Sequence, residues 1–148
     1  MSDEPLRCAG ALILDDEGRV FVRRPPQRPL FPYPWDIVGG TVQPGESVEA
    51  ALHREVQAET GWQISMVLGS VGEVTYAGDD GVPRVEEDFL IRVDGDLSRP
   101  RPADGGPVEF RWITGDELDV VDEDRAPGDL VLRHILEAGF ATVDRLGR

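Results

Sequence analysis

"GTVQPGESVEAALHREVQAETGW", residues 40 to 62, decides how the rest of the chain is read. Ser47 is placed to cap a helix and Gly61 to end it. Between them, Val48, Ala51, Leu52 and Val56 recur at helical spacing and form one apolar face. Glu55 and Glu59 stand one turn apart beside that face. On an exposed helix, such a pair repels by only a few tenths of a kcal/mol. At an effective dielectric of ~20 and a separation of ~6 Å, the repulsion grows to roughly 3 kcal/mol. A partly buried pair therefore calls for a cation. Just upstream, Gly39 and Gly40 allow the backbone to approach a ligand closely. A carbonyl at that corner, together with the carboxylates, suits a hard ion such as Mg²⁺. Arg54 has the donor fork to brace Glu46 and Glu55.

Working outward, "LRCAGALIL" (6–14) is apolar on both faces and predicts a strand covered on two sides. "DDEG" (15–18) predicts a turn, with "RVFVRR" (19–24) returning as the second strand of a hairpin. Five prolines in residues 25–34 predict an irregular loop, and "WDIV" (35–38) a short strand. Residues 62–78 predict one or two strands interrupted by glycine, and 84–95 another. In the latter, Val85, Glu87, Phe89, Ile91 and Val93 alternate on one face, with Glu86, Asp88 and Leu90 on the other. "VEFRWI" (108–113) is a further strand, and "TGDEL" opens a short helix. Residues 129–140 form a last helix with Asp129 as its expected cap. Strands mixed with two main helices, and no repeat or linker, predict a single α/β domain over 1–148.

The 40–62 stretch resembles the Nudix box, G-x5-E-x7-R-E-U-x-E-E-x-G-U, where U is bulky and apolar. Gly40, Glu46, Arg54, Glu55, Val56, Glu59, Gly61 and Trp62 match in register, while Ala58 replaces the first glutamate of the E-E pair. The resemblance implies an α/β/α sandwich with a mixed sheet. It also implies Mg²⁺- or Mn²⁺-dependent hydrolysis of the pyrophosphate bond in a nucleoside diphosphate linked to another moiety. Glu55 and Glu59 would be metal ligands, joined by the Gly40 carbonyl, with these glutamates or a later acid as base. Arg54 belongs to the catalytic set by position, and Glu46 and Gly61 to the frame of the motif. Ala58 removes an acid that relatives use toward metal. Glu87 is the first candidate to replace it, with Glu86 and Asp88 as alternatives. Ala58 also supports a second expectation, a Nudix-like domain that binds or senses a nucleotide with weak or no cleavage. An isoprenoid diphosphate isomerase shares the fold, but Cys8, in the first strand, does not suit its catalytic cysteine.

Composition narrows the rest. A net charge of −14 disfavours a nucleic-acid polymer as partner. All 15 basic residues are arginine, which excludes Schiff-base lysines and the lysine-bearing phosphate loop. One cysteine and an acidic N-terminus suit a cytoplasmic protein, and no apolar run is long enough for a membrane span. Arg23 and Arg24 are candidates to hold phosphate, and Phe31, Tyr33, Trp35 and Tyr76 to stack on a base. The expected partner is a small nucleotide substrate. A homodimer is expected only because sheet-edge and swapped-strand dimers are common in the family.

Overall fold

The computed structural model describes residues 4–26, 30, 33–78 and 80–146. Its elements are β1 (Leu6–Ile13), β2 (Val20–Arg24), β3 (Val38–Thr41), α1 (Val48–Thr60), β4 (Gln63–Ala77), β5 (Pro83–Asp94), β6 (Glu109–Ile113), a 3-10 segment (Gly115–Asp122) and α2 (Val131–Arg145). The larger sheet runs β3-β1-β5-β4. β1 and β5 are parallel and the other pairs antiparallel, so the sheet is mixed as expected.

Alternation along β1 divides the core. Ala9, Ala11 and Ile13 join Val38, Ile91 and the α1 residues Ala51, Leu52 and Val56 in one cluster. Leu12 and Leu14 join Leu90 and the α2 residues Leu132, Ile135 and Leu136 in the other. Full burial of a Leu or Val side chain contributes about 1.5–3 kcal/mol, so each helix is held by its apolar stripe rather than by propensity. The caps of α1 form as its residues dictate. Ser47 Oγ accepts from Ala50 N at 3.0 Å, and Gly61 takes a left-handed φ of 76°.

Three expectations are corrected. First, β2 does not pair with β1 as a hairpin. The two touch at one bridge, Leu14 with Val20, and β2 instead pairs antiparallel with β6 in a separate two-stranded sheet. Both edges of β1 are already taken by β3 and β5. Second, the strand expected at 35–38 begins at Val38, with Asp36 making only a bridge to Arg23. The glycines permit the shift, because a Cβ on Gly39 would lie 2.5 Å from the Ala9 carbonyl oxygen. Third, α2 begins at Val131 and runs to Arg145, with Leu130 at its N-cap position. Asp129 Oδ1 still accepts from Val131 N at 3.3 Å.

Within 62–78 the chain keeps one long strand. Register shifts between Val67 and Gly69 and between Ser70 and Gly72 place two of its bulges at the glycines. The strand faces expected for β5 are reproduced. Phe89, Ile91 and Val93 pack with the α1-side cluster, and Leu90 with the other.

Candidate active site

The loop before α1 and the end of β3 are tied to the middle of the helix by a web around Arg54. Its Nε donates to Glu46 Oε2 at 2.8 Å and its Nη2 to Glu46 Oε1 at 2.9 Å. Nη1 donates to Glu55 Oε1 at 2.6 Å, and Nη2 also reaches the Thr41 carbonyl at 3.0 Å. Glu46 additionally accepts from Gln43 N at 3.0 Å. The Arg54 fork, followed by that amide, holds the Glu46 carboxyl down to about 2. Arg54 is pushed upward by the same hydrogen bonds, led by Glu46.

The two carboxylates of the helix meet consecutive glycines of β3. Glu55 occupies the space that a Cβ on Gly40 would need, at 2.5 Å from its Oε1. Glu59 Oε2 accepts from Gly39 N at 3.1 Å, and Glu59 Oε1 accepts from the Arg23 guanidinium. Both side chains are less than one-fifth exposed, and each carboxylate has a guanidinium partner, Arg54 at Glu55 and Arg23 at Glu59.

Glu87 enters from the sheet. Gly40 and Glu87 both pair with Ala9, so the three stand in one row across β3, β1 and β5. Glu87 alternates with Phe89 and Ile91, which puts it on the α1 side, the side of Glu55. The row continues to Glu73 on β4, directly opposite Glu87 and 3.7 Å from Arg7 Nη2. Like charges facing each other on a ladder repel. Glu73 was not singled out from sequence, because its place in the row depends on bulges in β4.

Glu86 and Asp88 point to the other side of the sheet. Asp88 is 1% exposed, and its Oδ1 has no hydrogen-bond partner. Burial first, then the hydrogen bond to Glu86, pushes its carboxyl up to about 10. Glu86 Oε1 accepts from Tyr76 Oη at 3.0 Å. β5 is an interior strand of the sheet, between β1 and β4. Glu86 and Tyr76 line a cleft of about 780 Å³ between the β4–β5 end of the sheet and α2, together with Asp36, Arg84 and Arg125. Asp36 is exposed at the rim of this cleft, and its Oδ1 accepts from Ile37 N at 2.8 Å.

Arg24 and Trp35 are tied to other parts of the protein. Arg24 Nε donates to Glu109 Oε2 at 3.0 Å and Nη1 to Asp124 Oδ2 at 3.2 Å, while its guanidinium lies 4.1 Å from the Trp35 ring centre. Trp35 is buried in the α2-side core, and its Nε1 lies 3.4 Å from Glu123 Oε2. Phe31 lies outside the described residues, and Tyr33 is half-buried.

The NUDIX domain model matches residues 4–135. The chain belongs to the Nudix hydrolase family. Among Nudix relatives, the nucleoside triphosphatase NudI of Salmonella schwarzengrund (strain CVM19633) is 30% identical over 119 residues, covering 75% of this chain and 83% of that protein. A NUDIX hydrolase from Nitrosomonas europaea superposes with a TM-score of 0.73 at 23% identity, covering 94% of this chain and 90% of the other. A MutT NUDIX hydrolase from Burkholderia pseudomallei gives 0.69 at 25% identity, covering 91% and 98%. The Nudix fold is thus shared along nearly the whole chain.

The donor set at the glycine corner is all oxygen, which suits the divalent ion that the Nudix family implies. Among the described residues, no three His, Cys, Asp or Glu side chains stand close enough together to hold a metal. The fit therefore rests on Glu55 with the Gly40 backbone, and on acids that must still turn toward it.

The two glycines predict opposite outcomes on substitution. Gly39→Ala drives a methyl against the Ala9 backbone and is expected to cost about 1–3 kcal/mol in urea denaturation. Gly40→Ala first meets the carboxylate end of Glu55, a side chain that can move, so stability is expected to change by less than ~1 kcal/mol. Its effect is expected in a weakened Mn²⁺ affinity. Equal destabilisation by both substitutions would refute this assignment of the two contacts.

Proposed function

We propose that this chain is a divalent-metal-dependent pyrophosphohydrolase acting on a nucleoside diphosphate linked to another moiety, with nucleoside triphosphates first among its substrates. The observation that carries this reading is the seating of Glu55 and Glu59 against Gly40 and Gly39, with Arg54 locking the loop to the helix. The likeness to NudI, a nucleoside triphosphatase, supports a triphosphate.

Glu55, Glu59 and the Gly40 carbonyl would hold Mg²⁺ or Mn²⁺, with Glu87 supplying a further acid from the sheet. When bound, the ion neutralises phosphate oxygens and makes water a better nucleophile. Arg54 keeps the Glu55 carboxylate in place, and a carboxylate of this cluster takes the proton from the attacking water. Water adds to a phosphorus, and the bridging P–O bond breaks. Arg23 is the nearer phosphate-holding candidate, since it already stands at Glu59. Arg24 and Trp35 would act at one remove, by shaping the wall between the β2–β6 sheet and the loop before α2. The 780 Å³ cleft is of a size that takes a nucleoside.

A screen of nucleoside triphosphates, nucleotide sugars, ADP-ribose and dinucleoside polyphosphates with Mg²⁺ and Mn²⁺ tests the reading. Metal-dependent release of phosphate or pyrophosphate from at least one compound, abolished by chelator, is expected. Nucleotide binding without turnover under either metal would overturn it in favour of a binding domain. Ala58 and the Arg23–Glu59 pair are the observations that favour that second reading.

We further read residues 1–148 as one domain acting in the cytoplasm on a free nucleotide. No helix among the described residues is long and apolar enough to cross a membrane. A homodimer is part of the proposal, and sedimentation at micromolar concentration checks it.

A further inference from the structure

Gly10 stands in the middle of β1, an interior strand. A Cβ there would collide with Asp88 Oδ1 and come within 2.9 Å of Glu86 Oε2. Glycine inside a strand gives up packing and marks a place where other groups need the room. Here those groups are two acids on one face of β5. Among the described residues, Glu86 is bonded to Tyr76 Oη at 3.0 Å and to the Asp88 carboxyl, not to an arginine. Asp88 backs it from the core, and Glu86 is the member of the pair that reaches the 780 Å³ cleft. Across the cleft, α2 contributes the apolar side chains of Leu132 and Ile135. Two arginines also line it, but Arg84 is paired with Asp80 at 3.1 Å and Arg125 with Asp129 at 3.2 Å. The cleft therefore has an apolar wall for a flat ring and a carboxylate with lone pairs to spare, and its arginines are already committed. Its rim runs toward the glutamates of α1. Asp36 and Arg23 exchange backbone hydrogen bonds at 2.9 Å, and the Arg23 guanidinium reaches Glu59.

We propose that this cleft is a base pocket selective for guanine, in which Glu86 accepts the ring N–H and the amino group of the base while Leu132 and Ile135 pack on its ring. Donor matching selects the base. A carboxylate offers acceptors only, so it pairs best with two adjacent donors. Guanine presents them, at N1 and at its exocyclic amine. Adenine and cytosine place an acceptor nitrogen beside their amine, and uracil sets its N3–H between two carbonyls. Each of these would bring a lone pair against Glu86. Tyr76 and Asp88 fix the Glu86 carboxylate before the base arrives, so little ordering is left to the binding step. The inference rests on the nucleotide substrate of the reading above and adds which base it carries.

The test is calorimetric titration of the full chain, without metal, with GMP, IMP, AMP, CMP, UMP and XMP, for wild type and Glu86→Gln. In wild type, GMP is expected to bind about tenfold or more tightly than UMP, the scale on which a well-placed pair of hydrogen bonds discriminates between bases. IMP lacks only the amino group and is expected to bind about tenfold more weakly than GMP. Glutamine keeps one acceptor and turns the other into a donor. Glu86→Gln is therefore expected to lose about tenfold for GMP and to gain for XMP, whose C2 carbonyl meets the new N–H. A loss spread equally over all the nucleotides would mean a structural role and overturn the proposal. Wild type that binds them all within threefold of one another, or binds none at millimolar nucleotide, would overturn it too. Should Glu86→Gln not fold, by circular dichroism, the ratios of GMP to IMP and to UMP in wild type decide by the same limits. Turnover of nucleoside triphosphates with no preference among bases removes this inference and leaves the hydrolase reading standing. Guanine-selective binding with no turnover under Mg²⁺ or Mn²⁺ removes the hydrolase reading and leaves the pocket.

Discussion

Glu55→Gln is expected to lower kcat/KM for the best nucleotide substrate by about 10²–10⁴-fold, the range for losing a positioned catalytic carboxylate. The substitution keeps the side chain's length and its fit against Gly40, so the loss isolates charge. Arg54 retains Glu46 through two donors at 2.8 and 2.9 Å, so the loop and helix stay joined. Glu55 lies on the partly buried border of α1, not in its apolar stripe, and the urea midpoint is expected to hold. Glu55 is preferred to Glu59 for the largest effect because Glu59 already has an internal cation. The measurement is initial-rate hydrolysis at saturating and limiting Mg²⁺, with Mn²⁺ affinity read in parallel. A variant within threefold of wild type at limiting Mg²⁺ would show that the ion is not held at the Gly40 corner.

What made this site legible in the sequence is that its scaffold is local. Caps, apolar spacing and the i, i+4 acids of α1 all fall within a few turns, and helix geometry converts those spacings into faces. The Arg54 bonds to Glu46 and Glu55 span eight residues or fewer. The Arg23–Glu59 pair spans 36 residues and joins the second sheet to α1, and no periodicity reports such a contact. The same limit explains the misplaced hairpin. Residues 15–18 do turn the chain, but which strand receives β2 depends on β6, some 90 residues away. In β5, alternation told which residues share a face. It did not tell that α2 would cover the face of Glu86 and Asp88, so the sequence pointed to Glu87 as the costly acid and the fold buries Asp88. Arg24 and Trp35 looked like ligand groups because a basic and an aromatic residue flank a proline loop. In the fold they lie against each other, the guanidinium 4.1 Å from the ring centre, a pairing that no sequence spacing reports.

Asp88→Asn is expected to stabilise the protein at neutral and alkaline pH, against the usual direction for a substitution in the core. Asp88 is almost fully buried, its Oδ1 is unpartnered, and it shares a hydrogen bond with the Glu86 carboxyl. Burial and its acidic neighbours raise the folded pKa from 3.8 to about 10. The folded chain therefore keeps a proton that the unfolded chain releases. Because the native state binds more protons, stability falls as pH rises from about 4 toward about 10. Asparagine is neutral in both states and still offers Glu86 a donor, so the variant loses this dependence while keeping the shape of the site. The gain at pH 8 is expected to be about 1–3 kcal/mol, the scale of an uncompensated buried polar group. At about 2–4 °C per kcal/mol for a chain of this size, the melting temperature should rise by roughly 5 °C. Below pH 4 the two proteins should converge. Thermal melts of both across pH 4–9 provide the check, and parallel curves, or an Asn variant less stable at pH 8, would mean that Asp88 is ionised in the folded protein and balanced by a cation that burial alone does not reveal.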